Sequence, residues 1–105
     1  MYFFSSHAAR SYAEVEYPEC VFLVFGRESV GLQKEIVEEN KERALRIPML
    51  PTLRCLNLSN SVAIAVYEAL RQRGFPSMIW RKNIFFCVYL VFALDNFALK
   101  MYNIF

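Results

Sequence analysis

At 105 residues the chain has room for one small domain, and a domain of that size buries about 60–70% of the surface its unfolded chain exposes. A hydrophobic content of 56% with 16% aromatics is high for so short a chain, and points to a buried interface, an absent partner segment or a membrane contact. The formal net charge of +2 excludes an argument for nucleic-acid binding from composition, because the surplus lies in Arg81, Lys82 and Lys100 against Asp95 and leaves residues 1–80 neutral.

Met1–Phe4 is a short apolar run that predicts a strand and lacks the charged start and long apolar stretch of a signal peptide. Ser11–Pro18 mixes charge with loose alternation and reads as loop. Cys20–Phe25 (CVFLVF) is a continuous apolar run of the kind that suits a parallel strand buried on both faces, and Gly26 ends it. Leu32–Arg43 predicts a helix, with Leu32, Ile36 and Val37 on one stripe, Lys34, Glu35, Glu38, Glu39 and Lys41 toward water, and Ser29 as its cap. Ala44–Ile47 predicts a second short strand, stopped by Pro48. Pro48 and Pro51 make Met49–Asn57 irregular.

Asn60–Arg73 is the strongest helical pattern. Val62, Val66, Ala69, Leu70 and Arg73 follow helical spacing, Ser59 or Asn60 can cap the start, and Gly74 before Pro76 marks the stop. Strand, helix, strand, helix in this order argues an α/β architecture. No internal repeat is evident. Cys20, Cys55 and Cys87 form an odd set without Cys-x-x-Cys spacing, so no zinc site or disulfide framework follows. Thiols in a reducing cytoplasm are the plain reading.

The last segment differs from the rest. Ile84–Phe105 has 18 apolar residues out of 22 and half of all the phenylalanines, and its uninterrupted apolar run, Ile84–Leu94, is 11 residues. That run is short of the ~20 residues a membrane-spanning helix needs. The composition divides the chain into residues 1–80 and an atypical tail, 81–105. The tail reads as sequence unrelated to the fold, such as a shifted reading frame, or as a membrane anchor or a helix covering a dimer face.

Three ordered blocks carry a resemblance: Phe25-Gly26-Arg27-Glu28-Ser29-Val30-Gly31-Leu32, then Arg46-Ile47-Pro48-Met49, then Leu56-Asn57-Leu58-Ser59-Asn60-Ser61-Val62. Together they resemble the C-terminal half of the SPOUT-class RNA 2′-O-methyltransferases, and most nearly the tRNA (cytidine(34)-2′-O)-methyltransferase family. The resemblance covers residues 1–76. It implies a parallel-sheet α/β fold with a trefoil knot, truncated here so that the N-terminal strands are lacking. Also lacking is the family's Asn-Thr-Gly-Asn motif with the nearby arginine expected to activate the target hydroxyl. Loss of those strands would leave parallel edges bare.

By the same resemblance the cofactor is S-adenosylmethionine, bent in the knot and contacted by three loops. The motifs carry its contacts onto Phe4 after the first strand, Gly26, Ile47, and Cys55 with Leu56 before the last helix. A glycine suits close backbone approach because it has no Cβ. Cys55 departs from the serine usual there, and a thiol is a poorer hydrogen-bonding group than a hydroxyl. Gln33 departs from the usual proline and bears on helix entry. Taken singly, His7 reads as a loop residue, Glu28 as a surface carboxylate, Asn57, Ser59 and Asn60 as turn and cap residues, and Tyr67 as packing or a dimer contact.

The implied reaction is methylation of the 2′-hydroxyl of the wobble nucleotide in a tRNA anticodon loop, in the cytoplasm, by a homodimer with its last helix at the interface. No metal or membrane is expected. Val62, Val66 and Leu70 with Tyr67 would serve the dimer, and Arg10, Arg27, Arg54, Arg71 and Arg73 the RNA phosphates. Two other readings stand beside it, a non-catalytic remnant of a truncated or frameshifted gene and a small membrane-associated protein using the tail.

Overall fold

The computed structural model describes residues 1–27, 31–52 and 56–75, together with the backbone of strands 87–93 and 99–103. In chain order the elements are β1 (Tyr2–Phe4), β2 (Arg10–Ser11), β3 (Cys20–Phe25), α1 (Lys34–Glu39), a 3₁₀ turn (Lys41–Arg43), β4 (Ala44–Arg46), α2 (Leu58–Gln72), β5 (Cys87–Ala93) and β6 (Leu99–Asn103). The strands form one sheet in the order β2-β4-β1-β3-β5-β6. All neighbours are parallel except β5 and β6. The parallel-sheet α/β class expected from the sequence is therefore the one observed.

The sheet is filled out of sequence. β4 enters a slot between β1 and β2, so that Leu45 is flanked by Phe4 on one side and Arg10 on the other. Ser5 N–H donates to the Leu45 carbonyl at 2.9 Å, and Tyr12 N–H to the Arg46 carbonyl at 2.9 Å. Residues 5–9 thus bridge over the strand that the chain lays down later, a crossing that most folds avoid.

β3 alternates its side chains between two cores. Val21, Leu23 and Phe25 join Phe4, Val15, Tyr17, Leu45 and the buried face of α2 (Ala65, Val66, Ala69, Leu70). Val24 faces the other way with Leu32, where Phe3, Phe22 and Val37 are only partly buried. The α2 face is the heavier one. Val66 and Leu70, proposed for a dimer face, are spent on this internal core, and Tyr67 beside them is 57% exposed.

Both ends of α2 have identifiable stops. Asn57, not Ser59 or Asn60, is the N-cap, and its side-chain oxygen accepts from Asn60 N–H at 2.8 Å. At the other end Phe75 N–H donates to the Leu70 carbonyl at 2.9 Å and Gly74 N–H to the Arg71 carbonyl at 3.0 Å, with Gly74 at φ 69°. These are the paired bonds of a Schellman closure, which needs the left-handed conformation glycine adopts without strain. The helix predicted over 32–43 is shorter, six residues followed by the 3₁₀ turn, with Gln33 at its N-cap. Ser29, the expected cap, lies outside the described residues.

The last turn of α2 also clamps the segment before β3. Tyr17 N–H donates to Gln72 Oε1 at 3.0 Å, Gln72 Nε2 donates to the Val15 carbonyl at 2.9 Å, and Arg73 Nη2 donates to the Tyr17 carbonyl at 2.6 Å. Tyr17 is 1% exposed, and its hydroxyl donates to the Tyr12 carbonyl at 2.6 Å. The region read as loop is therefore pinned.

The tail adds β5 and β6 to the same sheet, so residues 87–93 and 99–103 are strands rather than part of an anchoring or covering helix. β5 pairs along the edge of β3 opposite to β1. Among the described residues no helix is long and apolar enough to cross a membrane.

Burial, and then the nearby Glu68 carboxylate, push the Tyr17 phenol above its ordinary value. A phenol held more strongly protonated in the fold contributes stability that is intact below its unfolded pKa of about 10 and is lost as the pH rises beyond that value. Urea midpoints measured across alkaline pH should fall steeply for the wild-type chain and less steeply for Tyr17→Phe. Parallel slopes would mean that this hydroxyl is not buried.

Candidate functional site

β1, β3 and β4 run parallel and adjacent with β1 in the middle, so their carboxyl ends lie together. Ligands of open α/β sheets bind outside such carboxyl ends. A cleft of about 330 Å³ opens there, lined by residues that follow each of the three strands and by the entry to α2. That volume is at the lower end of the range for small-molecule sites, about 300–1,000 Å³.

The floor is aromatic. Phe4 ends β1 and Phe25 ends β3, and their rings stack at a centroid distance of 4.9 Å and an angle of 16°. Stacking follows from the register, which sets Phe4 directly against Phe25. Leu32, Ile47, Met49, Leu56 and Leu58 supply the apolar walls. Ser5, Ser6 and His7 come from the loop that bridges over β4, Arg27 and Gly31 from the turn after β3, and Ser61 from the first turn of α2. The lining is thus apolar on floor and walls, with hydroxyls, one imidazole and one guanidinium added.

Gly26 fixes the shape of one wall. A Cβ built there would overlap the carbonyl group of Gly31 and the backbone nitrogen of Leu32. The turn folds back because Gly31 N–H donates to the Arg27 carbonyl at 2.7 Å, with Gly31 at φ 73°. Residue 26 must therefore lack a side chain for the backbone at 31–32 to close over it. Gly31 needs its own glycine for a different reason, its left-handed backbone, since open space surrounds it.

Of the site residues expected from the sequence, Phe4, Gly26, Ile47 and Leu56 all line this one cleft. Cys55 lies outside the described residues, as do Glu28 and Arg54. Ser5, Ser6, His7, Gly31, Met49 and Ser61 were not singled out as ligand contacts, and nothing but their adjacency to the expected residues would have signalled them. His7 is a loop residue as expected, and the loop brings it to the cleft.

The cations expected to meet RNA are partly engaged within the chain. Arg71 makes a bidentate pair with Glu68 at 2.8 Å, and that bond holds the Glu68 carboxyl below its ordinary value. Arg73 is tied to the Tyr17 carbonyl, and Arg10 Nη1 donates to the Glu42 carbonyl at 3.1 Å. Among the described residues no group of three or more acidic, histidine or cysteine side chains is placed to hold a metal ion.

A sequence model described as the SpoU rRNA Methylase family matches residues 1–67. The chain belongs to that family. Among its relatives is the tRNA (cytidine(34)-2′-O)-methyltransferase of Escherichia coli (strain K12), 43% identical over 77 residues, which are 72% of this chain and 46% of the relative. The enzyme of the same name from Saccharophagus degradans (strain 2-40) is 47% identical over 72 residues, 68% of this chain and 47% of the relative. A solved structure titled for the 2-OH methylation of C/U34 on tRNA superposes with a TM-score of 0.64 and 38% identity, covering 70% of this chain and 44% of that one. The chain spans about half the length of the curated relatives it matches. The match to the SpoU family includes β1 to β4 and the first part of α2, and so every element that forms the cleft.

The two glycines of the turn should fail differently. Gly26→Ala should lower unfolding stability by about 1–3 kcal/mol, the usual cost of forcing a group into filled space, because the obstruction is backbone. Gly31→Asn should lose less, since asparagine tolerates the left-handed region. Urea denaturation of both variants checks this, and equal losses would contradict the close approach at Gly26.

Proposed function

We propose that this chain forms the methyl-donor-binding part of a tRNA 2′-O-methyltransferase that uses S-adenosylmethionine and acts on the wobble nucleotide of the anticodon loop. The observation that carries the reading is the convergence of Phe4, Gly26, Ile47 and Leu56 on one cleft at the carboxyl ends of three parallel strands. It is joined to relatives named for methylation at position 34 of tRNA.

The residues present fit such a donor. A stacked Phe4–Phe25 floor with Ile47 and Leu56 beside it offers apolar surface for a flat base, and Ser5, Ser6 and Ser61 offer hydroxyls for a ribose. Gly26, with the backbone of Gly31 and Leu32 closed over it, keeps that wall free of a side chain. In this reading Cys55 contributes through its backbone, which a change from serine leaves intact. The crossing of residues 5–9 over the end of β4 is taken as the family's trefoil knot, with the donor held against it.

The bound donor supplies an electrophilic methyl group on its sulfonium. Phe4, Phe25, Gly26, Ile47 and Leu56 would hold such a donor and keep water from its buried side. Fixing two reactants in attack geometry removes much of the entropic part of a barrier. The RNA would approach across the rim that carries His7 and Arg27, in a homodimer that uses the exposed side of α2, where Tyr67 lies. No metal enters this scheme, and the cytoplasm is its setting.

Calorimetric titration of the purified chain with S-adenosylmethionine tests the reading. Saturable binding at one site per chain is expected, with Gly26→Trp weakening it at least tenfold, about 1.4 kcal/mol. Absence of binding by a sample that circular dichroism shows to be folded would overturn it.

A further inference from the structure

β3 and β5 are nearly the same strand. Cys20-Val21-Phe22-Leu23-Val24-Phe25 lies parallel to Cys87-Val88-Tyr89-Leu90-Val91-Phe92, and the register sets each residue against its equivalent. Phe22 against Tyr89 is the single difference. The repeat is not evident along the chain, because the two segments are far apart and each resembles any buried strand. Their pairing in the sheet makes the repeat plain. A slip of one residue would set every position against a non-equivalent one and turn the strand's faces over.

A bare outer edge on β3 would be hazardous. It would present a row of unpaired N–H and C=O groups to any other strand. The segment CVFLVF is apolar and β-rich, without charge or proline, which is the composition that stacks in register with copies of itself. β5 covers this edge along all six residues of β3, and β6 pairs antiparallel along the far side of β5. The new outer strand carries Lys100, and a lysine on an edge strand discourages further pairing. Both strands lie beyond residues 1–67, the part that matches the SpoU family.

We propose that β5 and β6 form an intramolecular edge cap, in which β5 is an internal copy of β3 that occupies the outer edge of β3 and prevents it from pairing in register with β3 of a second copy of the chain. The occupant of that edge is the chain's own β5.

The register supplies a direct test, because Cys20 and Cys87 are partners and Cys20 is exposed. Neighbouring strands lie about 4.8 Å apart, within the Cα separation of about 4.4–6.8 Å that a disulfide spans. The full chain carrying Cys55→Ser would be oxidised at high dilution with copper–phenanthroline under native conditions. A Cys20–Cys87 disulfide within one chain is expected, seen as a monomer on a non-reducing gel and mapped by peptide mass. Moving the cysteine by one position, with Cys87→Ser and Val88→Cys together, should slow its formation about tenfold by turning it to the opposite face. Two results would overturn the proposal. One is a Cys20–Cys87 bond no faster than in urea. The other is a bond that forms only between two chains, which would make the edge of β3 an intermolecular contact. Peptide mapping of the wild-type chain gives the same readout if Cys55→Ser proves poorly soluble.

Discussion

The backbone at Gly31 and Leu32 passes so close to Gly26 that no side chain can stand there. Much of the site depends on that approach. It folds the turn after β3 back over the strand end, it brings Leu32 down onto Val24 on the lighter face of the sheet, and it sets one wall of the cleft. The opposite wall depends on a second unusual arrangement, the insertion of β4 between β1 and β2 beneath residues 5–9. Together the two place three strand ends around one stacked pair of phenylalanines. The cleft follows from the topology, and the identities of its lining residues follow from which positions come just after each strand.

The heavier core holds this arrangement in place. α2 packs on the sheet with a buried face of Ala65, Val66, Ala69 and Leu70. Its last turn reaches back through Gln72 and Arg73 to the segment that leads into β3. The helix is therefore tied to the entry of β3 at one end and to the cleft at the other, where Leu58 and Ser61 line the opening. A helix that also served as a dimer contact would have to do so with its outer side, because its apolar stripe is already buried.

β3 was the most legible part of the fold in the sequence, because CVFLVF is a short apolar run rich in valine and phenylalanine that stops at Gly26. α2 was legible from its spacing and its Gly74 stop, but its cap was misplaced. Asn57, Ser59 and Asn60 are all good capping residues, and only the geometry decides among them. β2 left no signal because two residues carry no periodicity and owe their state to pairing with β4. The site was legible through the joint pattern of three blocks more than through any single residue: Gly26 alone is a turn glycine, and Ile47 alone is a strand end. The tail was the least legible, because apolar composition without polar alternation does not distinguish a helix from strands in a sheet, and because its likeness to β3 matters only when the two are neighbours.

The central claim is that a methyl donor binds where these three strand ends meet. Amide chemical-shift mapping of the isotope-labelled chain during addition of S-adenosylmethionine tests it residue by residue. The account predicts that the largest shifts fall on Ser5, His7, Gly26, Gly31, Ile47 and Leu56, with those of Glu14, Glu16 and Gln72 unchanged. Shifts confined to the 13–17 and 71–73 side of the molecule, or spread without pattern over the whole chain, would contradict it.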